Sequence, residues 1–130
     1  MSSPKFATAL NCIDGRTQIP VIQKMKTDFA VDFVDLFTWR GMDKAISEGT
    51  PDFLNELKNS VALSVEVRPT QLIAIAGHHD CIGNPTSEAI HKRQIRESIR
   101  IIQSWNFPVD VIGLWVNRDW KAEVLGDSDF

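Results

Sequence analysis

The chain has 130 residues, 43% hydrophobic and 24% charged, with a formal net charge of −3. That length and composition predict a single domain over residues 1–130 with a core that needs no disulfides. The acidic balance and the lack of a long basic run exclude an obvious nucleic-acid partner, and no apolar stretch approaches the roughly 20 residues of a membrane span. The start, Met1-Ser2-Ser3-Pro4-Lys5, is polar and unlike a secretory leader. The expected location is therefore cytoplasmic, where the two cysteines read as thiols or metal ligands rather than a structural disulfide.

Residues 5–12 read as a first strand with Cys12 at its end. A turn through Asp14-Gly15-Arg16 leads to a short helix entered at Thr17–Pro20, with Val21, Ile22 and Met25 on its apolar face. Phe29 to Phe37 is β-rich, and its Asp32 and Asp35 predict an edge position or a broken strand. Met42 to Glu48 reads as a short helix stopped by Gly49. Thr50-Pro51-Asp52 reads as the capped start of the next, with Phe53, Leu54, Leu57, Val61 and Leu63-Ser64-Val65 at helical spacing before Arg68-Pro69.

Leu72-Ile73-Ala74-Ile75-Ala76 has the composition of a fully buried, central parallel strand. A loop from Ile82 to Thr86 follows, and Asn84 or Thr86 can cap a helix running to about Trp105. Ile90, Ile95, Ile99 and Ile102 line one side of that helix. Lys92, Arg93, Arg96 and Arg100 form a solvated face with Glu88 and Glu97, and His91 is expected to face solvent. Val109 to Val116 is a further strand, and the alternation from Trp120 to Leu125 fits an antiparallel edge strand. The tryptophans Trp39, Trp105, Trp115 and Trp120 read as core and interface aromatics, with Trp39 placed where it would narrow a pocket. The fold class is α/β, a mostly parallel central sheet with flanking helices and an antiparallel edge strand.

The chemistry gathers at two strand ends, Cys12-Ile13-Asp14-Gly15-Arg16 and Gly77-His78-His79-Asp80-Cys81. If these strands are neighbours in a parallel sheet, their carboxyl ends converge where open α/β sheets bind ligands. Cys12, His78 and Cys81 then form a sulfur-and-nitrogen set suited to zinc. Three protein ligands rather than four leave one position open, the mark of a catalytic site. Asp14 is close enough in sequence to take that position or to hydrogen-bond a water there, and Arg16 can hold it through a bidentate pair. His79 should point away from His78, in a surface or supporting role.

These stretches resemble the C-x-D-x-R and H-x-x-C motifs of the β-class carbonic anhydrases, in the same order and each at the end of a predicted strand. Gly77 and Asp80 also look like that family, and the coarse similarity runs from about Phe6 to Leu125. The resemblance implies a β-carbonic-anhydrase-like fold, a zinc ion (Zn2+) in each subunit, and a homodimer or a multiple of one. It also implies a carbonate dehydratase, a zinc lyase in which zinc-bound hydroxide hydrates carbon dioxide reversibly to bicarbonate. Carried over, Cys12, His78 and Cys81 match the zinc ligands, and Asp14 and Arg16 match the pair that gates the open position.

The chain is a short and divergent member by this reading. Ile82 stands where the family usually has glycine, and Leu36-Phe37-Thr38-Trp39-Arg40-Gly41 lacks the usual arginine-asparagine-alanine-glycine type of segment. Few residues precede the first strand, without the family's N-terminal helices. The alternatives on the same residues are a hydrolase of carbonyl sulfide or carbon disulfide, a non-catalytic zinc-binding domain of the same fold, and a redox switch closing Cys12 to Cys81.

Overall fold

Alternation along the strands builds two cores on one sheet. The computed structural model describes residues 3–130; Met1 and Ser2, part of the polar start read from the sequence, lie outside the described residues. The strands are β1 (Phe6–Asn11), β2 (Phe33–Thr38), β3 (Thr70–His78), β4 (Asp110–Val116) and β5 (Ala122–Leu125). They form one five-stranded sheet in the order β2-β1-β3-β4-β5. β1 to β4 pair in parallel, and β5 runs antiparallel to β4. The expected fold class holds, with β3 central and β2 and β5 at the edges.

The helices are α1 (Gly15–Phe29), α2 (Met42–Ser47), α3 (Pro51–Val67) and α4 (Glu88–Gln103). On one face Ala7, Ala9, Leu72, Ala74, Ala76, Leu114 and Val116 pack with Val21 and Met25 of α1. On the other, Leu10, Ile73, Ile75 and Trp115 pack with Met42, Ile46, Val61, Val65, Ile95 and Ile102 of α2, α3 and α4. Consecutive residues of β3 thus serve opposite cores, as the period of two requires. No helix among the described residues is long and apolar enough to cross a membrane.

Caps move several boundaries from their expected places. The Asp14 carboxylate accepts from the backbone N–H of Arg16, so α1 starts at Gly15, before Thr17. Pro20 therefore lies inside the helix, where it lacks the N–H that would bond the carbonyl of Arg16. Phe29 ends α1 instead of opening a strand, and Ala30 in the left-handed region (φ 54°) turns the chain towards β2. Thr50 caps α3 as its sequence predicts, accepting from Phe53 N at 3.2 Å. Within α3, Ser64 and Val65 are buried but Leu63 is exposed.

α4 departs further from expectation. Its cap is Ser87, which accepts from Ile90 N at 3.2 Å, and neither Asn84 nor Thr86 takes that role. Its buried face is His91, Ile95, Ser98 and Ile102, while Ile90 sits at the exposed margin. His91, expected in solvent, is 2% exposed. The spacing from 91 through 95 and 98 to 102 is helical, so a histidine and a serine share the inward face with two isoleucines. The aspartate of β2 also has partners. Asp35 accepts from Ser64 Oγ at 2.6 Å and from Arg68, tying the edge strand to α3.

Candidate metal centre

β1 and β3 are adjacent, with Leu10 beside Ile75, so the residues that follow them emerge at the same end of the sheet. Cys12 lies just past β1, His78 ends β3, and Cys81 follows after a tight turn in which Asp80 takes a left-handed conformation (φ 58°). Their ligand atoms all lie within 4.8 Å of one another, and all three residues are buried. Both cysteines are free thiols.

The donor set fits a tetrahedral metal. The two Sγ atoms are 3.9 Å apart. Two thiolates on one zinc, each at about 2.3 Å and a tetrahedral angle, stand about 3.8 Å apart. His78 Nδ1 donates to the backbone carbonyl of His79 at 2.7 Å, which fixes the tautomer and leaves a lone pair on Nε2. That Nε2 is buried without a hydrogen-bond partner. A buried nitrogen lone pair facing two sulfurs is costly to leave unused, and a cation satisfies it.

The electrostatics point the same way. The hydrogen bond from Cys81 lowers the pKa of Cys12 and outweighs burial, with further help from His78 and from the backbone at Asp14 and Gly41. Cys81 is pushed the other way, first by its hydrogen bond to Cys12 and then by burial, so the pair holds one proton between two sulfurs. Burial opposes a charge on His78, yet the Cys12 thiolate, the His79 carbonyl and Asp14 raise its affinity for a proton. The cluster attracts positive charge.

Beside it stands the Asp14–Arg16 pair. Arg16 Nη2 donates to Asp14 Oδ2 at 2.7 Å, and Nε donates to both carboxylate oxygens at 3.1 and 3.2 Å. This hydrogen bonding holds the Asp14 carboxyl down to about 2, against the opposing effect of burial. The turn is anchored from below, since Thr17 Oγ1 donates to the Asp14 carbonyl at 2.7 Å and accepts from Asn11 Nδ2 at 3.0 Å.

Sequence reasoning missed further partners of Arg16. Its Nη1 reaches Asp80 Oδ2 at 3.3 Å, and its Nη2 reaches the Asp80 carbonyl at 3.2 Å. Trp120, in the turn before β5, packs against the core on the α1 side of the sheet and also lies over the guanidinium at 4.2 Å, so it serves this site as well as the core. Its backbone is left-handed (φ 58°), which no local pattern announced. His79 is half-buried, stands outside the ligand cluster, and has its ring 6.2 Å from that of Trp120.

The departures from the family motifs also take physical form. Ile82 is 86% exposed, so its side chain fills no part of the centre. The close approach that requires glycine falls one residue later: a Cβ on Gly83 would stand 2.9 Å from the backbone nitrogen of Gly41. Trp39 and Met42 line a groove of about 390 Å³ with Phe37, Phe53 and Leu57, beside the edge strand β2.

Residues 2–126 match the family model described as "Putative carbonic anhydrase". No curated protein sequence matches significantly. Among solved structures, the chain is similar to β-carbonic anhydrase isoform I of Trichomonas vaginalis at 18% identity and TM-score 0.57, covering 95% of this chain and 84% of that one. The β-carbonic anhydrase CafA of Aspergillus fumigatus matches at 13% identity and TM-score 0.51, over 94% and 75% of the respective chains. A tetrameric β-carbonic anhydrase of Sordaria macrospora matches at 14% identity and TM-score 0.51, over 97% and 82%. At these identities the structural likeness speaks for the fold, and the match over nearly the whole sequence for the family. The chain is a divergent member of the β-carbonic anhydrase family.

Proposed function

We propose that this domain is a zinc-dependent lyase that interconverts carbon dioxide and bicarbonate, with Cys12, His78 and Cys81 holding the metal and Asp14 and Arg16 completing the catalytic machinery. The observation that carries the reading is the orphaned, buried Nε2 of His78 facing two sulfurs 3.9 Å apart. Bound there, zinc supplies a Lewis acid and lowers the pKa of water towards neutrality.

The chain's own residues do the positioning. Cys81 would have to give up its proton to hold a metal, whereas Cys12 is already favoured as thiolate. The His79 carbonyl keeps the His78 ring in the ligating tautomer. Asp14 stays ionised and is held by Arg16, so it is available to accept a hydrogen bond from a reacting water and is restrained from ligating the metal itself. Released from Arg16, the same carboxylate would close the open position.

Two further parts of the reading rest on general grounds. A cytoplasmic setting agrees with free thiols as metal ligands. A homo-oligomer, most simply a homodimer, is supported by the tetrameric assembly of the Sordaria macrospora relative. The test is carbon dioxide hydration by the zinc-loaded protein beside Cys12→Ser and Asp14→Ala, with carbonyl sulfide and carbon disulfide as competing substrates. Turnover of carbon dioxide that both substitutions abolish supports the lyase. Stoichiometric zinc without turnover from about pH 6 to 9, the range around a zinc-bound water, would leave a zinc-binding domain instead.

A further inference from the structure

A second buried polar cluster lies next to the metal centre, and the proposed chemistry does not use it. Asp43 on α2, Asn84 in the loop after Cys81, and His91 and Ser98 on α4 are all buried. His91 Nδ1 donates to Asp43 Oδ2 at 2.5 Å. The Asn84 amide has two hydrogens, and it donates them to Asp43 Oδ1 at 3.0 Å and Gln94 Oε1 at 2.6 Å. Asp43 Oδ1 also accepts from the backbone N–H of Lys44 at 2.9 Å, and the Asp43 carbonyl accepts from Ser98 Oγ at 3.1 Å. A carboxylate survives in the interior only where its lone pairs are filled. Here three donors reach it, two at Oδ1 and one at Oδ2.

The location gives the cluster its meaning. Asp43 Oδ2 occupies the space beside Gly77 where a side chain would otherwise stand, 2.6 Å from an ideal Cβ. Gly77 immediately precedes His78. Asn84 follows Cys81 by three residues, and its backbone N–H donates to the Cys81 carbonyl at 3.3 Å. One carboxylate therefore touches the strand that carries one candidate ligand and, through a single amide, the loop that carries another. The Gly41–Gly83 contact presses the start of α2 against the same loop.

We propose that Asp43, braced by His91 and linked to the loop through Asn84, is a positioning device for the metal centre, fixing Cys81 against β3 at ligating distance before metal arrives. The inference rests on the reading of Cys12, His78 and Cys81 as metal ligands. A loop already held in place loses little freedom on binding, so cutting the Asn84 link should weaken metal binding more than it weakens the fold.

The experiment measures zinc affinity by competition with a chromogenic chelator in wild type, Asn84→Ala and Ser64→Ala, together with thermal unfolding of the metal-free proteins. Ser64→Ala is the control, because it breaks a buried hydrogen bond to Thr8 and a half-buried one to Asp35 and shares no residue with α2 or the loop. Zinc affinity should fall about 10–100-fold in Asn84→Ala, the usual effect of losing an outer partner of a ligand set, and stay near wild type in Ser64→Ala. The thiolate-to-metal charge-transfer band on cobalt substitution should change in Asn84→Ala alone. Should that variant not fold, Gln94→Ala removes one acceptor of the same amide, with a several-fold loss expected. Wild-type affinity in the folded variant, or an equal loss in Ser64→Ala, overturns the positioning role. A wild-type protein that binds no zinc overturns the metal reading itself, and this inference with it.

Discussion

The guanidinium carbon of Arg16 lies 4.2 Å from the centre of the Trp120 ring, while its nitrogens hold Asp14 and Asp80. The turn before β5 thus reaches across the sheet end to the turn after β1. Arg16 is fixed on one face by an aromatic ring and along its edges by two acids, and this restrains Asp14 in turn. Under the proposed function, in which Asp14 can either assist or block, what fixes the arginine would matter to turnover.

Trp120→Ala should loosen that restraint without touching a ligand. Exposed cation–π contacts contribute about 0.5–1 kcal/mol, so hydration is expected to slow about 2–5-fold with zinc content unchanged. Trp120→Phe keeps an aromatic face and should retain most of the rate. Stopped-flow hydration with parallel metal analysis checks both.

Arg16→Ala should go further. Asp14 loses its bidentate partner and becomes free to turn towards the metal. The expected result is full zinc content with turnover reduced at least about tenfold, in line with losing a partner that orients a metal-site residue. Arg16→Lys should restore little, because an ammonium cannot present the planar fork that contacts Asp14 through Nε and Nη2. Equal rates in wild type and Arg16→Ala would remove the pair from the mechanism.

Gly41 carries a backbone requirement of its own. Its φ is +53°, and a Cβ there would stand 2.8 Å from the Gly83 carbonyl oxygen. Gly41→Ala is expected to destabilise the fold by about 1–3 kcal/mol, seen as a lower denaturant midpoint with an unchanged slope. A midpoint equal to wild type would mean that α2 can move away from the Cys81 loop at no cost.

The sheet and the convergence of Cys12, His78 and Cys81 were readable because each rests on a local pattern. Five consecutive apolar residues before Gly77-His78 predict a central strand, Cys12 directly follows one strand end, and Cys81 comes three residues after the other. Asp14 and Arg16 are two positions apart, so their pairing needs no tertiary knowledge. What stayed hidden depends on contacts between elements far apart in sequence. His91 looks like a surface residue until Asp43, 48 positions away, supplies its partner. Asn84 reads as a helix cap because asparagine favours that role, yet Ser87 takes it and Asn84 turns inward. Trp120 looks like an edge-strand aromatic, and only the pairing of β4 with β5 brings its turn to Arg16.

Metal should stabilise the fold by mass action. Zinc that binds only the native state contributes about 2.7 kcal/mol at a free concentration 100 times its Kd. Thermal unfolding should therefore shift upward as zinc is added to metal-free protein and downward on chelation. In His78→Ala, which removes the orphaned nitrogen, the shift should shrink or vanish. A midpoint indifferent to zinc would contradict a preformed centre.

The most direct test of the central claim is the metal content of purified, reduced protein by elemental analysis, wild type beside Cys81→Ser. The convergence of Cys12, His78 and Cys81 predicts zinc in stoichiometric amount in the wild type and its loss in the variant. Wild-type protein that takes up no metal after zinc supplementation would contradict it, and would leave the chain with the fold of the family but not its chemistry.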